Sequence, residues 1–397
     1  MTSFFRSPLF LVLALWTAGL GAAAQFAKIV VIFPELQAYY GETGAASGYL
    51  VSLISFVGMA LGLVAGVIAI QIGLRRLLIL GLSLGAAISA WQATLPGFEA
   101  MMLSRFIEGL SHLAIVVAAP TLIAQLSGGK HQGAALTLWG TFFGVAFAGV
   151  ALFAPSLIAA YGLGSLAFVH AIYMATIAIV LTALLPSMDR NDAPAWPSLA
   201  DIARRHLSVY SSPFISAPAL GWLFYALTFV SLLAILPPMI DPAQRAMVTA
   251  AMPLASIASS LTLGTWLLRK MPAVTIIIIG FALAIGLAIL LMTFGVSAWL
   301  AIVLFASLGL VQGASFAAVP QLNPGLAERA LANGGLAQMG NIGNGIGTPI
   351  ALAILALGSN LGLPLFLITS YTAAIITHVL LARMRKTNAS TRKTAVQ

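Results

Sequence analysis

Apolar positions along this chain do not alternate with polar ones at the two-residue period of a half-buried strand. They gather into runs of about 20 residues built from Leu, Ala, Ile, Val, Gly and Phe. A helix needs about 20 such residues to cross roughly 30 Å of hydrocarbon, so each run predicts one membrane-spanning helix. The runs are residues 8–33, 46–70, 77–95, 99–126, 134–160, 163–186, 214–238, 246–268, 273–294, 297–320, 334–357 and 362–382. A transmembrane barrel would show alternating segments of about 10 residues, and none is present. The pattern predicts an all-α polytopic membrane protein with twelve transmembrane helices. Arg6 and the small residues from Ala22 to Ala24 resemble a cleaved leader. The apolar run nevertheless continues through Phe26 and Ile29 to Phe33, the length of a retained span.

The longest polar stretch, residues 187–213, divides the spans into two sets of six. The predicted organisation is an N-terminal bundle (1–186), a linker (187–213), a C-terminal bundle (214–382) and a tail (383–397). Within the linker, ADIARRHL reads either as a surface helix with Arg204, Arg205 and His206 toward lipid headgroups or as a solvated connector.

Composition agrees with the pattern: 61% of the 397 residues are hydrophobic and 7% are charged, which excludes both a soluble globular protein and a disordered chain. There is no cysteine, so no disulfide framework. The formal charge of +9 is explained by orientation. If both termini are cytoplasmic, fifteen of the eighteen basic residues lie inside, Arg245 lies in an outer loop, and Lys28 and Arg105 fall within spans. The charge then matches anionic inner-leaflet lipid, and no nucleic-acid partner is implied.

The two halves repeat weakly. RFIEGLSHL in the fourth span places Glu108 and Gly109 where GLVQGASFA in the tenth places Gln312 and Gly313. QGAALTLWGTFFG likewise runs beside ANGGLAQMGNIGN, with Gly140 over Gly340, at an offset near 200 residues. Duplication of a six-helix unit, two pseudo-symmetric bundles, is the expected origin.

On these residues the chain resembles the major facilitator superfamily of secondary transporters. GVIAIQIGLRR after the second span is similar to that family's first signature, G-x-L-x-D-R-x-G-R-R, and supplies a gating loop of Gly66, Gly73, Arg75 and Arg76; Ile70 stands at the acidic position, so the interdomain charge contact is missing. Arg105 and Gly109 match the second signature, R-x-x-Q-G, with Glu108 for its glutamine. The GPxxGG run of antiporters is absent. The resemblance implies a monomer that moves a small-molecule substrate across the bilayer by alternating access, with no cofactor.

Glu108 is the single acid in the interior of a predicted span, Glu99 standing at the edge of the fourth. Ionisable groups at that depth are site candidates. Arg105, Glu108 and His112 are spaced by three and four and line one helical face, which suggests proton coupling or substrate binding on a cavity wall; a packing ion pair is the alternative. Lys28 either snorkels to the outer interface or faces the cavity with Gln25. Gln338, Asn341 and Asn344, interleaved with glycines, suit a polar cavity wall or hydrogen-bonded helix packing. Trp16, Phe142, Phe143, Trp222, Phe224 and Tyr225 have value as a group that could stack on a planar ligand.

His170 and Met174, at i and i+4, are weak candidates for a soft metal; no metal site is expected. GLSLG matches a nucleophile pattern by letters only, and no Walker loop or H-E-x-x-H occurs, so the chain does not read as an enzyme.

Within the superfamily, QFAKIVVIFPELQ, RFIEGLSHLAIVVAAPTLIAQ and HAIYM resemble an alphaproteobacterial importer group that includes copper and riboflavin importers. The copper members' M-x-x-x-M and H-x-x-x-M in the seventh and eighth helices are absent here. The resemblance therefore implies a bacterial inner-membrane importer with riboflavin as the first cargo and a copper importer as the alternative; protonation of the Arg105, Glu108 and His112 face would make it a proton symporter, and a non-transporting ligand sensor is the rival reading.

Overall fold

The computed structural model describes residues 7–186, 198–359 and 361–394. Arg6, Asp189, Arg190 and Asp192 lie outside them, as do the first part of the linker and the last three residues of the tail.

Among the described residues there are helices, turns and bends but no strand. Eleven helices are long and apolar enough to cross a membrane: Pro8–Val30, Gly44–Leu61, Leu74–Ala93, Phe98–Leu126, His131–Tyr161, Ser165–Leu184, Ser216–Ile235, Pro242–Leu268, Ala273–Phe294, Ala298–Leu322 and Gly362–Thr387. The remaining predicted span is the 30-residue helix Leu326–Leu355. It is long enough to cross, about 45 Å at 1.5 Å per residue, but its amides and glycines dilute its apolarity. We refer to these helices in chain order as the first to twelfth spans. The chain is a multi-pass membrane protein.

Several boundaries differ from expectation, each for a local reason. The first span ends at Val30; Pro34 then occupies the first turn of a separate helix, Phe33–Tyr40, which carries Glu35. The second span breaks at Gly62 and resumes as Ala65–Ile72. Gly73, at φ +91°, makes the turn into the third span, a conformation that favours glycine. The fifth span bends at Gly140 between Gly128–Trp139 and Phe142–Tyr161. The twelfth continues as helix to Thr394, so the expected separate tail is an extension of the last span.

Alternate crossings place the start of the first span, the end of the sixth and the end of the twelfth on one side, here called the linker side; the opposite side is the far side. The repeat is visible in the close helix contacts. A Cβ at Gly109 in the fourth span would lie 2.4 Å from the Ile54 carbonyl oxygen of the second, and one at Gly313 in the tenth would lie 2.4 Å from Ser260 Oγ of the eighth. Gly81 of the third span abuts Ser111 and Ala114 of the fourth as Gly280 of the ninth abuts Ser307 and Val311 of the tenth. Small residues permit such approach where lipid supplies no hydrophobic driving force.

The halves meet along two seams. On one, Gly48 of the second span meets Pro349 of the eleventh, Ser52 Oγ donates to the Asn344 carbonyl at 2.8 Å, and Gly58 accommodates Asn341. On the other, Gly144 of the fifth span receives Ile257 of the eighth, and Ala148 and Ala151 pack on Ala250. Between the far-side ends of the first and seventh spans, Val30, Val31, Leu233 and Ala234 line a void of only about 10 Å³, roughly the least that admits a water.

Candidate functional site

The polar residues of the N-terminal half converge on Glu108. Lys28 Nζ donates to Glu108 Oε1 at 2.7 Å, Gln92 Nε2 donates to Oε2 at 2.9 Å, and Arg105 Nη1 donates to the same Oε2. Arg105 also donates from Nε to the Leu50 carbonyl and from Nη1 to the Gln25 carbonyl, at 2.7 and 2.9 Å. Lys28, Arg105 and Glu108 are all buried. The first, second, third and fourth spans are thereby tied at one point, and the pair that sequence spacing suggested has a third charged member. Lys28 does not snorkel. Its stem lies inside the bundle, where Glu108 offers an anion.

His112 does not extend this cluster. Its Nδ1 lies 3.1 Å from the Ala22 carbonyl and its ring stands edge-on to Phe26 at 5.1 Å. Among the described residues no hydrogen bond joins it to Glu108, so the expected ladder stops at two rungs. The histidine that reaches the cluster is His170. Its Nδ1 lies 2.7 Å from Ser89 Oγ and 3.4 Å from Lys28 Nζ, and its Nε2 lies 2.9 Å from the Gly21 carbonyl. Both ring nitrogens are thus engaged, which leaves the His170 and Met174 pair without a free imidazole lone pair for a metal. Met174 is buried against Gly21 and Gly85. Ser89 and Gln92, three apart on an apolar span, were the signal available in sequence for the third helix's part in the site.

Gln25 joins through Nε2, which donates to Ser111 Oγ at 2.7 Å. The eleventh-span amides lie elsewhere, on the seam with the second span. Asn341 Nδ2 donates to the Ala337 carbonyl of its own helix, and Asn344 contributes its carbonyl to Ser52. Gln338 is a hub. Tyr210 OH donates to its Oε1 at 2.6 Å, while its Nε2 donates to the Met59 carbonyl at 2.9 Å and sits 3.0 Å from His206 Nε2. For these amides helix packing replaces a cavity wall.

Tyr210 and His206 belong to the linker helix Leu199–Ser211, which opens with a capping box of Ser198 and Asp201. Hydrogen bonds from Ser198, and the pairing with Arg204, hold the Asp201 carboxyl below its usual range. His206 turns inward to Gln338 and away from lipid headgroups, and Val209 is buried among Leu63, Ile215, Val319, Ala332 and Leu336. The linker helix thus rests on both halves.

In the expected gating loop, Arg75 caps the sixth span: Nε donates to the Leu185 carbonyl at 3.0 Å and Nη2 to the Thr182 carbonyl at 2.7 Å. Cations suit the negative end of a helix. Its bonds stay inside the N-terminal half, Arg76 is exposed, and Gly66 meets open space. The four residues make a turn and a cap, with no contact to the other half among those described.

The aromatic group is brought together. Trp222 stacks on Tyr225 at 4.3 Å, Tyr225 on Phe229 at 5.0 Å, and Phe229 meets Phe143 of the fifth span at 6.4 Å. From Phe143 the rings continue to Phe26 at 5.9 Å and through Phe142 to Trp139. Phe316 of the tenth span adds an edge to Trp222 at 5.1 Å. The lattice crosses from one half to the other, and Trp139, Phe142, Phe143, Trp222 and Phe316 retain exposed surface. Trp16 joins it only indirectly, donating to Thr141 Oγ1 at 3.3 Å, and Phe224 packs on the core.

The family model of the Major Facilitator Superfamily matches residues 11–348. The chain belongs to that superfamily. As a superfamily member it is a transporter by family, and its fold recurs in solved relatives. A bacterial homolog of the human lysosomal transporter Spinster, in an inward-facing, unoccupied conformation, superposes with a TM-score of 0.72 at 15% identity, over 95% of this chain and 97% of that one. The superfamily transporter FucP in the outward conformation gives 0.66 at 17% identity, over 95% and 99%. No curated protein matches the sequence.

Proposed function

We propose that this superfamily member imports a small planar organic nutrient by alternating access, with riboflavin as the first cargo to test, and that a proton accompanies it. The observation that carries the cargo class is the aromatic lattice: rings from both halves, several partly exposed, joined through Phe143 and Phe229. A flat heteroaromatic cargo stacks on such rings at about 0.5–1.5 kcal/mol per ring pair. Because the rings come from both halves, rocking of one half against the other would make and release those stacks.

Orientation follows from charge. Arg204, Arg205, Arg269, Lys270, Arg329, Arg383 and Lys386 all lie toward the linker side, which we assign to the cytoplasm of a bacterial inner membrane. Coupling through His112 has no supporting contact, and the proton is assigned below to other residues. Growth rescue of a riboflavin auxotroph lacking its own importer tests the cargo. Rescue that depends on Trp222 and Phe143 supports the reading; failure in a strain that makes the protein in its membrane removes riboflavin.

A further inference from the structure

The charges around Glu108 do not balance. Lys28 and Arg105 bring two cations to one carboxylate, all three buried, and no other acid among the described residues is buried. Arg105 Nη2 is buried without an acceptor, as Gln25 Oε1 and Gln92 Oε1 are without donors. An unneutralised cation in a low-dielectric bundle is costly. One carboxylate holds one cation in balance, so the second is the group whose charge is free to change. Arg105 is fixed as the permanent one, since a guanidinium does not deprotonate in proteins.

The hydrogen bonds assign a direction to the remaining proton. The Gly21 carbonyl only accepts, so His170 Nε2, 2.9 Å away, carries a hydrogen. In the neutral imidazole Nδ1 is then a bare acceptor, and Ser89, whose Oγ lies 2.7 Å from it, donates its hydroxyl hydrogen there. Ser89 Oγ in turn accepts from Lys28 Nζ at 2.6 Å. Lys28, Ser89 and His170 form an unbroken donor chain across the first, third and sixth spans.

We propose that Lys28, Ser89 and His170 form a proton-binding wire, with the dissociable proton shared between the Lys28 amine and the His170 imidazole. In the shift, an N–H bond of Lys28 breaks as its proton forms a bond to Ser89 Oγ. The Ser89 O–H bond breaks as its proton forms a bond to His170 Nδ1. Lys28 becomes a neutral amine, His170 an imidazolium donating to both Ser89 and Gly21, and the cluster charge is unchanged. Loss of that proton from His170 leaves Arg105 and Glu108 as a balanced pair. The charged groups facing the wire are Arg105 and Glu108 from the fourth span; Ser89 and Gln92 of the third and Gln25 of the first are neutral, and His112 is turned to Ala22. His170 lies five residues into the helix Ser165–Leu184 from its far-side end, about 8 Å along the helix, which puts the wire nearer the far side.

This rests on the transport reading for its purpose only, because the proton site can be measured without cargo. Full-length protein in lipid nanodiscs, labelled with 15N at Lys Nζ and the His ring nitrogens, is titrated by NMR; Lys28→Met and His170→Asn assign the signals. The wire requires both signals to move with one midpoint in the wild type. Ser89→Ala should separate the two midpoints by about tenfold in proton affinity, and Ser89→Thr, which keeps the hydroxyl, should restore the shared one. A Lys28 signal that stays that of an ammonium wherever the protein is folded overturns the proposal. So does a Ser89→Ala titration identical to wild type. Neither result bears on the cargo, and failure of riboflavin transport would leave the titration unaffected.

Discussion

Lys28 and Glu108 form an ion pair 2.7 Å long between side chains that are 1% and 0% exposed. Arg105 approaches the other carboxylate oxygen, so one acid serves two bases from two helices.

That asymmetry ranks the variants. Glu108→Gln strands two buried cations and should cost about 3–5 kcal/mol. Lys28→Met leaves the Arg105 pair intact and should cost less. Thermal unfolding in detergent measures the order, and a more damaging Lys28→Met would contradict the shared-carboxylate geometry.

Ring stacking sets the cargo prediction. Trp222→Ala and Phe143→Ala should each raise the flavin KM by up to about tenfold, the equivalent of about 1.4 kcal/mol. Phe281→Leu, which alters a ring packed on Tyr371 inside the C-terminal half, should leave it unchanged. Equal effects from all three would assign the rings to stability alone.

The far-side contact between the second and eleventh spans depends on a glycine. A Cβ at Gly48 would stand 2.9 Å from the Pro349 backbone, which has no flexible end to move aside. Gly48→Val should therefore separate the second and eleventh spans. The chain has no cysteine, so spin labels at Glu42→Cys and Leu357→Cys report on this seam alone. Electron–electron distances should lengthen by a few ångströms; an unmoved distance would mean that the seam absorbs the side chain.

Gln338 joins the linker helix to both halves, and hydrogen bonds of this kind contribute about 1 kcal/mol each. Gln338→Leu should speed amide hydrogen exchange across Leu199–Ser211 by about tenfold, with Tyr210→Phe intermediate. Acidification should have a related effect at the helix start. The lowered Asp201 carboxyl supports the cap above its ordinary unfolded range, and that support is lost as pH falls through the folded value. Exchange that ignores both the variant and acid would detach the helix from Gln338.

The span count, the two-bundle fold and the pairing of Arg105 with Glu108 were legible in the sequence because length, apolarity and helical spacing are local properties. The partners of that pair were not. Lys28 and His170 lie 80 and 62 residues from Glu108, and only packing of the first and sixth spans against the fourth decides that Lys28 turns inward. His112 illustrates the converse: correct spacing on the fourth span put it on nearly the same face, but the Ala22 carbonyl and the Phe26 ring hold it. Glycine-rich amides on the eleventh span were ambiguous for a similar reason, since a seam and a cavity wall both favour small residues beside polar ones.

Counterflow of riboflavin in proteoliposomes tests alternating access most directly. Vesicles preloaded with unlabelled riboflavin should take up labelled riboflavin from outside in a transient overshoot, which Trp222→Ala and Phe143→Ala diminish. Binding of riboflavin with no uptake above empty vesicles would contradict the account and leave a ligand sensor built on a transporter fold.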